Sequence, residues 1–81
     1  MQIINQSYLL GIREGRAVWQ RFEADGKADL ENAREALSNV DECLGMGFAG
    51  EIRDMMKGER DFWRQRIKLL AEIRASRGVS A

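Results

Sequence analysis

Apolar residues recur at steps of three and four along three stretches of this chain, and that period places them on one face of an α-helix each time. In the first stretch, about residues 7–23, the stripe is Tyr8, Ile12, Gly15, Trp19 and Phe22, flanked by Gly11 and Val18 and widened by Leu9. Arg13, Glu14, Ala17, Gln20 and Arg21 fall on the opposite face. Asn5 or Ser7 can cap its start by accepting from a free first-turn amide, and Asp25-Gly26 ends it, because glycine tolerates the left-handed backbone of a helix C-terminus. The second stretch, about 28–44 with Asp29 as a plausible cap, carries Leu30, Ala33, Leu37, Val40 and Leu44, widened by Ala36 and Cys43. Gly45 follows where a C′ glycine belongs. A glycine-rich turn over 45–50 holds Met46 and Phe48, expected to fold back over the end of the bundle. The third stretch runs from about 49 to 75, and residues 76–81 are expected to fray. Short connections make the fold a single all-α domain over residues 1–81, a three-helix up-down-up arrangement of a helical hairpin and a long third helix.

The three helices are unequal. Gly11 and Gly15 leave a small-residue face on the first, which Ala33 and Ala36 of the second are expected to meet. On the third, Ile52, Met55, Met56, Phe62, Trp63, Ile67, Leu69, Leu70 and Ile73 cover nearly half the circumference, and Glu59 and Arg66 project into that apolar face. Gly58 lies inside the helix, which implies either a close neighbour or a bend. A buried charge needs a partner, and seven residues are roughly 10 Å of helical rise, too far for a direct Glu59–Arg66 pair. Two copies of the third helix crossing antiparallel near Phe62–Trp63 satisfy both charges by two-fold symmetry, which gives a homodimer through Glu59, Phe62, Trp63, Arg66, Ile67 and Leu70; the alternative is that Glu59 and Arg66 bond to the first two helices or reach solvent past their stems.

Charge is balanced over the chain, with 13 basic and 13 acidic side chains, but uneven along it: +2 over residues 1–22, −5 over 23–42 and +3 over 43–81. The favoured reading is that the acidic middle and the basic ends attract each other within one molecule. Arg53, Lys57, Arg60, Arg64 and Lys68 form a basic stripe on the outer face of the third helix, bordered by Asp54, Asp61 and Glu72. A solvated face is favoured there over a nucleic-acid contact, since no base-reading motif or aromatic interleaving accompanies it.

A chain 44% hydrophobic and 32% charged folds, and the absence of proline suits long helices. A core this small is marginal alone, so association is expected. The lack of histidine removes the commonest general base and metal ligand, and one cysteine makes neither an internal disulfide nor a cysteine-rich zinc site. Cys43 reads as a small buried hydrophobe. Gly45, Gly47 and Gly50 lack the order of a phosphate-binding loop, and the neighbouring carboxylates Asp41–Glu42 and Glu31–Glu35 read as solvated charge. No enzyme and no cofactor are expected. No apolar run reaches the roughly 20 residues of a membrane span, and the start shows no basic segment before an apolar one, so the expected location is cytoplasmic.

Two segments, Ser7-Tyr8-Leu9-Leu10-Gly11-Ile12-Arg13-Glu14-Gly15-Arg16 and Gly58-Glu59-Arg60-Asp61-Phe62-Trp63-Arg64, resemble stretches of small proteins encoded by phages and prophages of enteric bacteria. The resemblance implies an accessory protein of the bacterial host cytoplasm that binds and modulates or inhibits a host nuclease, polymerase or defence complex. It carries over no catalytic or ligand residue. From the residues themselves, a non-enzymatic protein-interaction protein is expected, with Phe62 and Trp63 as aromatic anchors. A nucleic-acid-binding accessory factor using the basic stripe and a small virion assembly protein are the alternatives.

Overall fold

The computed structural model describes residues 5–79, which form three helices: α1 (Gln6–Ala24), α2 (Leu30–Gly45) and α3 (Gly50–Val79). The fold is all-α among the described residues. Residues 76–79, expected to fray, continue α3, and residues 80 and 81 of that expected tail lie outside the described part.

Side-chain caps and glycine turns set the helix ends. Asn5 has extended backbone and accepts from the Tyr8 amide at 3.1 Å, so it is the α1 cap and Ser7 lies inside the helix. At the other end Gly26 takes φ +71°, its amide donates to Glu23 at 3.3 Å, and the Lys27 amide donates to Phe22 at 2.8 Å. These two bonds are the Schellman pairing that satisfies the last carbonyls of a helix. Asp29 then caps α2 by accepting from the Asn32 amide at 2.8 Å, while the Asn32 side chain ties back to the Lys27 carbonyl at 2.9 Å. Gly45, expected beyond the end of α2, is its last residue, and Gly47 takes the positive φ of +84° in its place.

α3 is the spine. α1 and α2 each pack on it and scarcely touch one another. The expected pairing of Gly11 and Gly15 with Ala33 and Ala36 is therefore replaced by packing on α3. Gly58 is the reason. A Cβ on Gly11 would overlap the Met55 carbonyl, and one on Gly58 would overlap the Tyr8 carbonyl, so two helix backbones cross in contact at these glycines. Gly15 leaves room for Phe62, whose Cδ2 lies 2.8 Å from where a Cβ would sit. Contacts then step along both helices in the same direction, ending with Trp19 against Trp63.

The core is small and aromatic: Trp19, Ala33, Val40, Phe62 and Trp63 are its buried members, bordered by half-buried Phe22, Leu37, Met56, Ile67 and Leu70. Trp63 sits at its centre, edge-on to Phe62 at 5.1 Å and to Trp19 at 6.2 Å, with Phe22 tilted against it at 5.8 Å. Because α1 and α2 do not close on each other, no capped bundle end exists for the α2–α3 turn to cover. Met46 and Phe48, expected to fold back, are instead 72% and 40% exposed.

Candidate functional site

The side chains expected to form an interface are not all on the surface. Phe62 and Trp63 are only 8% and 2% exposed, covered by α1 and α2 of their own chain, and Ile67 and Leu70 lean half-buried on the same core. Arg66 also finds its partners at home: its guanidinium carbon lies 5.1 Å from the Trp19 ring centroid and 5.4 Å from that of Phe62. Aromatic faces stabilise a cation by about 0.5–2 kcal/mol each, without a carboxylate. The antiparallel crossing expected to join Glu59 to Arg66 of a second copy thus loses its geometry, since α1 occupies that part of α3.

Glu59 is left in a different setting. α1 and α2 splay over α3 and leave an open groove between them of about 400 Å³. Val18, Phe22, Ala36, Val40 and Trp63 make its apolar part, and Glu59 is the carboxylate of α3 that lines it. Lys27, Asn32, Glu35 and Asn39 stand around it from the α1–α2 loop and α2. Glu59 is half-buried, and no hydrogen bond or ion pair reaches its side chain. Burial raises its carboxyl above the ordinary range, and the nearby charge of Glu14 on α1 pushes it further the same way. The sequence had marked Glu59 as an unpaired charge in an apolar face; the groove beside it follows from the helix arrangement.

A second polar cluster lies at the glycine crossing. The Tyr8 hydroxyl donates to Asp61 at 2.5 Å, and Arg60 Nε donates to the other Asp61 oxygen at 3.3 Å. Both bonds favour the charged carboxylate, the Tyr8 bond more strongly, and hold Asp61 below its ordinary range. The same bond raises the Tyr8 hydroxyl. Tyr8 reads in the sequence as an inward apolar position, and nothing in the local pattern links it to a residue 53 positions away.

Along the basic stripe, Arg53, Arg64 and Lys68 are exposed, and Lys57 and Arg60 half-buried. Arg60 pairs with Asp61 on its own helix. Among the described residues, Glu31, Glu35, Asp41 and Glu42 of α2 make no ion pair, so the expected attraction between acidic middle and basic ends is not formed as side-chain contacts. The acids of α2 and the stripe of α3 both face outward. Two further expectations shift with the packing: Leu9 is exposed instead of extending the inner stripe, and Cys43 is half-buried with a free thiol.

Large apolar side chains stand out from the surface at Leu9 and Leu10 on α1, at Met46, Phe48 and Ile52 around the α2–α3 turn, and at Leu69 and Ile73 far along α3. No group of described residues is placed to hold a metal ion, and no described helix is long and apolar enough to cross a membrane. Compared with family models, with curated proteins and with solved structures, the chain finds no significant match.

Proposed function

We propose that this chain is a non-enzymatic interaction protein whose partner is a second protein. The observation that carries the reading is its surface. A compact monomer of 9.2 kDa exposes about 4,900 Å² by the usual scaling with mass, whereas this chain exposes 6179 Å². The difference, on the order of 1,200 Å², is more than the roughly 800 Å² that one partner contributes to a standard protein interface. Large apolar side chains stand on this surface, Leu69 and Ile73 among them. The phage-like segments make a bacterial host protein the natural partner, a nuclease, polymerase or defence complex whose action is modulated by occupation of its surface. An up-down-up course and a homodimer through α3 fit the same reading, the latter now by way of Leu69 and Ile73.

Affinity capture of the tagged chain from an enteric bacterial lysate is the test. One stoichiometric protein partner is expected, with capture weakened in Leu69→Ser/Ile73→Ser. Recovery of no specific protein overturns the reading. A second reading rests on the outward cations Arg53, Arg64 and Lys68, which make no ion pair among the described residues, although Arg64 acts on the Asp61 carboxylate at longer range. It predicts nucleic-acid binding that weakens steeply with salt, and no binding at low salt eliminates it.

A further inference from the structure

We propose that the groove between α1 and α2 is a receptor for a basic side chain, an arginine or lysine presented by the protein partner, with Glu59 as its counter-ion and Phe22 and Val18 as its apolar wall. This deepens the interaction reading above and rests on it. Three observations converge. The groove holds about 400 Å³, within the range of sites that take a small ligand or a single long side chain. Its carboxylate is partly desolvated, still reached by solvent, and receives no hydrogen bond or ion pair from its own chain. Beside that carboxylate lies half-buried Phe22, an aromatic side chain that a cation with a long apolar stem can pack against, with Trp63, 2% exposed, packed against Phe22.

The electrostatics favour a cation over any other occupant. Glu35 of α2 and Glu59 of α3 line the groove against Lys27 from the loop, and the charge of Glu14 on α1 acts on Glu59 as well. Lys27 is not within ion-pairing distance of Glu59, so the groove does not neutralise itself. Arg66 is stacked on Trp19 and Phe62 and is not among the groove's lining residues. A carboxylate that has lost part of its hydration is less favourable in its charged form in the free chain, and an incoming guanidinium or ammonium restores a partner to it. Removing the charge should therefore move stability and binding in opposite directions, which a merely structural residue does not do.

The test uses two small probes on the intact chain. Nα-acetyl-arginine amide and its neutral isostere Nα-acetyl-citrulline amide are titrated while the indole N–H resonances of Trp63 and Trp19 are followed, Trp19 serving as the reference outside the groove. Saturable displacement of the Trp63 signal by the arginine probe is expected, with the citrulline probe about tenfold weaker, as the loss of a charge-assisted hydrogen bond implies. Glu59→Gln is expected to raise the melting temperature by a few degrees and to abolish the discrimination. Equal response to both probes, discrimination retained in Glu59→Gln, or a lowered melting temperature in that variant each overturns the proposal. Arginine binding without any captured protein overturns the interaction reading alone; a captured partner with equal probe response overturns only the assignment of the groove.

Discussion

Two glycines 47 positions apart decide where α1 meets α3. A glycine inside a helix usually costs about 1 kcal/mol relative to alanine, so Gly58→Ala on an exposed helix is stabilising. Here the added methyl group meets backbone, the Tyr8 carbonyl, which cannot swing aside as a flexible side chain does. Gly58→Ala is expected to destabilise the chain by about 1–3 kcal/mol in urea unfolding, and Gly11→Ala, which meets the Met55 carbonyl, by a similar amount. Stabilisation by either substitution contradicts the crossing. The adjacent Asp61 gives a pH signature. Its carboxyl is held below the ordinary range, first by the Tyr8 hydroxyl, so its contribution is full above the unfolded value and is lost as pH falls through the folded one. Asp61→Asn should cost about 1 kcal/mol at neutral pH, discounted for solvent at this part-buried site, and the gap to the native chain should close on acidification below about pH 4. Glu59 works in the opposite sense. Its carboxyl is raised by burial and then by Glu14, so ionised Glu59 opposes folding at neutral pH, and acid relieves it.

At the scale of elements, the helices themselves were legible and their partners were not. Apolar period and cap chemistry act within one or two turns, and Asn5, Gly26 and Asp29 stand where that local chemistry puts them. Which helix faces which depends on surfaces far apart in sequence. Gly11 matched Ala33 as well as it matched Gly58 until the backbones were placed, and a period cannot make that choice. Arg66 shows a second limit. A cation in an apolar face can be met by a second copy or by its own first two helices, and Trp19 of α1, with Phe62, meets it within the chain. The wide apolar face of α3 is real but divided: α1 and α2 cover Phe62 and Trp63, and leave Leu69 and Ile73 at 46% and 42% exposure. At concentrations low enough to keep the chain monomeric, Leu69→Ser and Ile73→Ser should accordingly change the unfolding free energy by less than about 0.5 kcal/mol, as surface substitutions do, while Trp63→Ala should cost about 3–5 kcal/mol. Chemical unfolding of the three variants separates surface from core. Large destabilisation by the first two would place Leu69 and Ile73 in the core and remove them as a docking surface.

For the whole molecule, one long helix sets both shape and marginality. At 1.5 Å per residue the 30 residues of α3 span about 45 Å, which accounts for the 47 Å long axis. α1 and α2, with 19 and 16 residues, are too short to cover it. The radius of gyration is 14.3 Å, where a compact 81-residue domain has about 12 Å. A chain with five buried hydrophobic side chains among its described residues and this much surface gains by covering α3, and zero net charge offers little long-range repulsion between copies. Leu69 and Ile73 lie one helical turn apart on α3, and a second α3 can bury both pairs together. Light scattering after size exclusion should therefore find a mass near twice 9.2 kDa at high concentration, reverting to a single copy in Leu69→Ser/Ile73→Ser with helicity unchanged. Because the apolar contact strengthens with salt while the outward charges of α2 and α3 are screened by it, dimerisation through these residues should persist or tighten as salt rises. Dissociation by salt would instead assign the contact to the acidic face of α2 against the basic stripe of α3. A strict monomer throughout would leave the exposed turns of α3 around Leu69 and Ile73 to a different protein.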